Sequence, residues 1–473
     1  MPLSDAYKPD PAFARLGREF ADPVEPAQFP SHLLRWRNQR WAERVGLGAL
    51  TPSEWEANFA RFEPLRDNQS APLAMRYHGH QFRVYNPDLG DGRGFLYAQL
   101  RDDAGRLLDF GTKGSGKTPY SRAGDGRLTL KGGVREVLAA EMLEALGVYT
   151  SKAFALFETG ESLHRHDEPS PTRASVLTRL SHSHIRIGTF QRLAFFDQAK
   201  QMRVLIDHVV ENYFPDLAPL DGEARAAGVL KRATENLARL AASWMAAGFV
   251  HGVLNTDNLT LTGESFDYGP WRFLPTSDPN FTAAYFDETG LYSFGRQPEA
   301  VSWALAQLGG ALTLLAPVDA LEGALSRFAS AYQDALVAHV FARLGLAPTN
   351  SEDDLAFLQT LFGWMTQSQI GWDQFFHDWF CGEASAERAR ESPLAQSYAA
   401  AEFASVRDGL GARDPVRPER LRHAHFQRPA PVSLVIDEVE ALWAPIAERD
   451  DWSLYEAKLA AIAEARKALG IAG

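Results

Sequence analysis

The stretch that most constrains this chain lies near its middle: SWMAAGFVHGVLNTDNLTLTGESFDYGPWRF, Ser243 to Phe273. Leu237, Leu240, Ala241, Trp244 and Met245 recur at helical spacing, which predicts an apolar-faced helix ending near Gly248. A polar loop, HGVLNTDN, follows, and two short strands are expected before Asp267-Tyr268-Gly269. Asn258 supplies a carbonyl oxygen and Asp267, nine residues on, a carboxylate. Both are hard ligands of the kind magnesium or manganese prefers. Singly, each residue reads as a loop cap; in this order they read as two ligands of one metal.

The order is that of the protein-kinase catalytic layout, in which a loop ending in Asn precedes an Asp-aromatic-Gly triplet. That layout demands a strand lysine upstream and a glutamate on the next helix. Lys113 lies in the β-rich run RLLDFGTKG, and Glu136 sits on the amphipathic stretch 131–146, off its Val134/Val137/Leu138 stripe. Lys113 and Glu136 are therefore expected to form an ion pair. One position departs from the layout. Counting from His251, the eighth residue is Asn258 as required, but the third, where a kinase carries its base, is Val253. The nearest acid is Asp257.

Two upstream patterns mislead. Gly111 to Thr118 satisfies the Walker pattern, yet no helix follows until about Lys131, so no helix N-terminus stands ready for phosphate. Asp109-Phe110-Gly111 lies inside a strand-like run, with no catalytic loop before it, and Asp109 reads as a strand or turn polar residue.

Ordered blocks then point to a known family. GHQF (79–82), LGDGRG (89–94), KGSGKTPYSRAGDGR (113–127), VREVLAAEM (134–142), SHIRIGTF (183–190), HGVLNTDN (251–258), DYGP (267–270) and YSFGRQP (292–298) resemble the selenoprotein O family of protein adenylyltransferases. The resemblance implies an α+β, protein-kinase-like bilobal fold, with a small β-rich N-lobe carrying one key helix and a larger, mostly helical C-lobe. It implies transfer of AMP from ATP to Ser, Thr or Tyr hydroxyls of proteins, with release of pyrophosphate, from a nucleotide bound in a flipped orientation. By position it implies nucleotide contacts at Gly90, Gly92, Arg93, Lys113, Asp125, Gly126, Arg179 and Arg186. Asp257 is implied as the proton acceptor, and Asn258 and Asp267 as ligands of Mg2+ or Mn2+. The alternatives are an atypical kinase transferring the γ-phosphate and an inactive nucleotide-binding scaffold.

The expected organisation is an N-terminal extension over 1–75, an N-lobe over 76–190 and a C-lobe over 191–473. Within the first segment, SHLLRWRNQRWAERVG reads as helical. ALFETG and ASVLTRL read as strands, and DDAG (102–105) as a hairpin connection. Val301 to Pro317 reads as a buried helix, too short to span a membrane.

A net charge of −12 argues against a general nucleic-acid binder. One cysteine, Cys381, excludes an internal disulfide, and no signal or transit peptide is evident, so a cytoplasmic monomer of bacterial type is expected. HRH (164–166) and HSH (182–184) lack further spaced ligands and are read as ordinary polar positions. Against the family pattern, Gly132-Gly133 stands where relatives show Ser-Ser, Pro275, Ala284 and Leu291 differ on the acceptor side, and no C-terminal cysteine is found.

Overall fold

The computed structural model describes residues 3–166 and 168–471. Strands β1 (Lys8–Pro9), β2 (Ala21–Pro23), β3 (Leu33–Arg37) and β4 (Leu73–Met75) come from the first 75 residues. Then follow β5 (Gly79–Gln81), β6 (Val84–Asn86), β7 (Leu96–Arg101), β8 (Leu107–Lys113), β9 (Leu128–Thr129), β10 (Lys152–Leu163) and β11 (Thr172–Ser181). Among the described residues nine of these form one antiparallel sheet, ordered β2-β4-β7-β8-β11-β10-β3, with β1 on β7 and β9 on β11. The β5–β6 hairpin stands apart from it. The molecule is thus a mixed α+β fold, a large antiparallel sheet followed by many helices.

Every residue of β8 is buried, because both faces of the sheet are covered. One face packs on helix α3, Leu130–Ala145 in this structure. The other is closed by aromatic residues of the N-terminal segment. Trp55 and Phe59, on helix α2 (Pro52–Phe59), meet Phe110 and Phe154 at ring distances of 5.0 to 5.7 Å. Burial on both faces turns the expected alternation into a continuous run.

The first segment corrects one expectation. Leu33–Arg37 is a strand paired with β10 (Ala155 opposite Arg37), and only Gln39–Arg44, helix α1, is helical. Asn38 ends the strand and caps that helix, its Oδ1 accepting from Trp41 N at 3.2 Å. Residues Leu34 and Trp36 alternate along β3, a period-two pattern hidden inside a stretch whose overall spacing looked helical.

Thr129 caps α3, its hydroxyl accepting from Gly132 N at 3.1 Å, so the helix starts firmly despite its two glycines. A Cβ on Gly133 would lie 2.5 Å from Leu156 of β10, so the missing side chain lets α3 settle onto the sheet. Its buried stripe includes Val134, Val137, Leu138 and Met142, as the spacing predicts.

Helices α4 (Ile187–Phe195), α5 (Ala199–Asn212) and α6 (Gly222–Ala247) begin the helical half, in which they are numbered on from α3. α6 ends at Gly248, φ 65°, where a Cβ would meet the Trp372 ring at 2.4 Å. Strands β12 (Phe249–Val250) and β13 (Arg272–Phe273) pair and close the ends of the intervening loop. The two strands expected between Asn258 and Asp267 are absent; single bridges, Arg186 to Thr260 and Thr150 to Ser265, stand in their place. Helix α7 (Gln297–Leu312) is the buried helix expected near 301–317, and no described helix is long and apolar enough to cross a membrane.

Candidate active site

The end of β8, the glycine-rich turn after β6, the 120–127 loop, β11 and the 251–271 loop converge on one cavity of about 630 Å3. Gly90, Gly92, Arg93, Lys113, Asp125, Gly126, Arg179, Arg186, Asp257 and Asp267 all line it. Nearly two hundred residues of sequence separation are closed by the sheet and the helices behind it.

At its floor four charges form a closed ring. Lys113 Nζ donates to Glu136 Oε2 at 2.6 Å and lies 2.8 Å from Asp267 Oδ1. Arg179 Nη1 reaches Glu136 Oε1 at 3.2 Å and the same Asp267 oxygen at 3.1 Å. Lys113, Glu136 and Arg179 are buried, while Asp267 keeps 27% of its side chain open to the cavity. Burial alone would raise the Asp267 carboxyl; Lys113 and Arg179 instead hold it well below its ordinary value. Asp267 also takes a left-handed backbone, φ 63°, unusual for a residue with a side chain.

Asp257 has the opposite environment. Burial pushes its carboxyl up to about 6, against the pull of Arg186. Its Oδ1 is buried with no hydrogen-bond partner among the described residues, a state that a buried oxygen tolerates only at a cost. The loop that presents it is tightly held. His251 donates from Nε2 to Phe266 O at 3.0 Å, and its own N–H reaches Gln297 Oε1 at 3.0 Å. Asn258 spends its side-chain amide N–H on Val253 O at 3.0 Å, which leaves its carbonyl oxygen available to ligate a metal.

Arg186 sits between the glycine-rich turn and this loop. Its guanidinium lies over Tyr77 (4.3 Å) and Phe266 (5.2 Å), and Nη2 reaches Asp91 Oδ1 at 3.1 Å. Asp91 Oδ2 in turn accepts from Met75 N at 3.0 Å, tying the turn to β4. Asp91 was not among the predicted residues, although it stands inside the LGDGRG block.

The glycines have a steric reason of their own. A Cβ on Gly90 would lie 2.3 Å from the Tyr120 ring, and one on Gly92 would lie 2.9 Å from Tyr120 O. Tyr120 is anchored through its hydroxyl to Asp22. Gly126, φ 73°, passes close to Gly116, where a Cβ would meet backbone at 2.3 Å. Asp125 caps Arg127 N at 2.9 Å and is gripped by both Nη atoms of Arg165, at 2.8 and 3.1 Å. His164, Arg165 and His166 thus line the cavity mouth, which no spacing in the sequence reveals.

The misleading patterns resolve. Lys117 is exposed and outside the cavity lining. Asp109 is buried in β8, accepting from Gln99 Nε2 at 2.7 Å and His184 N at 2.8 Å. His182 pairs with the Tyr149 hydroxyl at 2.6 Å, and burial pushes its imidazole down to about 4. Cys381 is buried. Among the described residues no group of three or more His, Cys, Asp or Glu is placed to hold a metal. Asp267 lines the cavity while Asn258 is not among its lining residues; their side chains offer two hard oxygens, and the cavity leaves room for phosphate oxygens. That donor set fits Mg2+ or Mn2+, which are commonly held by one or two carboxylates plus substrate phosphates.

Comparison with known proteins gives a consistent answer. The sequence signature of the family described as "Protein adenylyltransferase SelO" matches residues 4–463. A protein of Synechococcus elongatus named protein nucleotidyltransferase YdiU is 44% identical over 470 residues, covering 95% of this chain and 94% of the relative. Its namesake in Synechocystis sp. is 45% identical, covering 94% and 96%. A Vibrio cholerae protein of the same name is 37% identical over 379 residues, covering 80% and 76%.

Proposed function

Because the chain belongs to the SelO family of protein adenylyltransferases, we propose that it moves AMP from ATP to Ser, Thr or Tyr hydroxyls of proteins, releasing pyrophosphate. It is a nucleotidyltransferase that acts on proteins. The observation that carries the mechanism is the combination of Val253, where a kinase base would stand, with a buried Asp257 at the cavity whose Oδ1 has no hydrogen-bond partner among the described residues.

The fold supports a kinase-like bilobal reading. Residues 76–190 would supply the strands and helix around the nucleotide and 191–473 the catalytic loop and helices, with α4 bridging the two, while 1–75 is woven into the sheet through β1 to β4. Arg93, Lys113, Arg179 and Arg186 offer the cationic surface a triphosphate needs, the three arginines as planar forks suited to phosphate oxygens. Gly90, Gly92 and Gly126 let backbone come close to it, and Asp125 orders the loop that carries Gly126.

Asp257 would take the proton from the acceptor hydroxyl as its oxygen attacks the α-phosphorus and the bond to pyrophosphate breaks. A carboxyl with its pKa near 6 is ionised at neutral pH yet basic enough to hold that proton. Arg186, between Asp257 and the glycine-rich turn, would then face charge growing on the α-phosphate. Losing one such group typically costs roughly a hundred- to a thousandfold in rate. Asn258 and Asp267 would hold Mg2+ or Mn2+, which when bound neutralises phosphate charge. Asp267 is kept ionised for that role by Lys113 and Arg179.

The test is the leaving group. Turnover with ATP, metal and an acceptor protein should release pyrophosphate. ADP in its place identifies a kinase, and no product at all a scaffold.

A further inference from the structure

Exposed apolar side chains gather on one side of the active site. Val84 is 69% exposed, Phe195 57%, Phe196 50%, Tyr285 81% and Phe286 47%. They come from three separate elements, the β5–β6 hairpin, the end of α4 and the loop after Asp267, yet they form one ridge. Phe286 packs on Phe82 at 5.8 Å, the hairpin carries the ridge past Val84, and Tyr85 stacks on Phe195 at 5.6 Å. A contiguous exposed apolar patch of this kind marks an interaction surface far more often than it occurs by default.

The ridge is continuous with the catalytic loop. His80 N donates to Thr256 Oγ1 at 2.7 Å and Phe82 N to Asn255 Oδ1 at 3.1 Å, so the hairpin hangs from the two residues before Asp257. Tyr292, which packs on Phe82, donates its hydroxyl to the same Asn255 oxygen at 3.0 Å. Gln81 of the hairpin lines the cavity itself. Any protein whose hydroxyl reaches Asp257 must rest on what surrounds that mouth. The charge around the ridge narrows the choice further. Each of its three elements runs into an exposed carboxylate, Asp88, Asp197 and Glu288, with no ion-pair partner among the described residues. Of the cations beside the ridge, Arg83 at the hairpin tip is already paired with Glu299 at 2.9 Å, and Arg192 lies half-buried over the Phe196 ring at 5.1 Å.

We infer that this ridge docks the acceptor protein, and that the segment it takes carries apolar or aromatic residues beside the modified hydroxyl and basic residues beyond them. The inference rests on the proposed AMP transfer to proteins. It is tested with a positional-scanning peptide library around a fixed Ser, Thr or Tyr, labelled from α-phosphate-labelled ATP. Wild type should select Leu, Phe, Tyr or Met next to the hydroxyl and Lys or Arg further out. The triple variant Val84→Ser/Phe195→Ser/Tyr285→Ser should lose the apolar selection at least roughly fivefold. Its KM for ATP and its nucleotide-induced rise in melting temperature should stay at wild-type values. Should the triple variant fail to fold, Tyr285→Ser alone, at the most exposed position, carries the comparison. A flat, polar or acidic preference in wild type, or an unchanged preference in the variant, overturns the docking surface. Pyrophosphate release without peptide selection leaves AMP transfer standing and removes only the ridge; γ-label on the peptides removes both.

Discussion

Lys113 Nζ lies 2.8 Å from Asp267 Oδ1, although 154 positions separate them in the chain. The same ammonium is 2.6 Å from Glu136. One cation therefore couples the sheet, the helix α3 and the loop after the catalytic segment. Removing a partner from a buried ion pair strands the remaining charge, at a cost of about 3–5 kcal/mol. Lys113→Met should lower the chemical-denaturation free energy by that order and also abolish the rise in melting temperature that ATP produces. A variant as stable as wild type would show that the ring does not hold the fold together.

Asp257 gives a prediction with a sign. As the base it must be ionised, so the rate should fall as pH drops through about 6, its value in the folded protein. Stability runs the other way. A carboxyl raised in the folded state favours folding most when protonated, below the unfolded value of 3.8, and that contribution is lost as pH rises through about 6. Asp257→Asn should therefore be inactive yet more stable than wild type at pH 8, by roughly 2–3 kcal/mol at most. The gain should vanish near pH 4. Equal stability at both pH values would contradict the burial of this charge.

Tyr120 explains why the turn needs glycine at position 90. Gly90→Ala places a methyl 2.3 Å from the ring, which should cost about 1–3 kcal/mol and weaken ATP binding. Adding Tyr120→Ala removes the clash, so the two changes should be strongly non-additive in a double-mutant cycle. Additive effects would show that the ring does not set the turn.

Lys117, the Walker-position lysine, is exposed and away from the cavity. Lys117→Ala should leave ATP affinity within about twofold of wild type, in contrast to Lys113→Met. A large loss would restore the Walker reading.

Local pattern made much of this site legible. The helix ending at Gly248, the spacing from Asn258 to Asp267 and the stripe on α3 are all short-range signals, and Glu136 follows from its place off that stripe. What stayed hidden is what the tertiary fold brings together. Leu33–Arg37 joins the sheet only because β10, over a hundred residues later, offers it an edge. Arg165 reaches Asp125, and Asp91 reaches Arg186, across loops whose path no periodicity encodes. Tyr120 explains Gly90 and Gly92 sterically, a reason visible only once the two loops are side by side. Arg179 reads in sequence as one arginine among many, and its place in the charge ring comes from the register of β11 on β8, where it stands opposite Gly111.

The most direct test follows the label. Wild type and Asp267→Ala are incubated with an acceptor protein, metal and ATP carrying label at either the α- or the γ-phosphate. Protein-bound label from the α-position alone, lost in Asp267→Ala, is the predicted result. Label from the γ-position, or α-label undiminished in Asp267→Ala, would contradict the account.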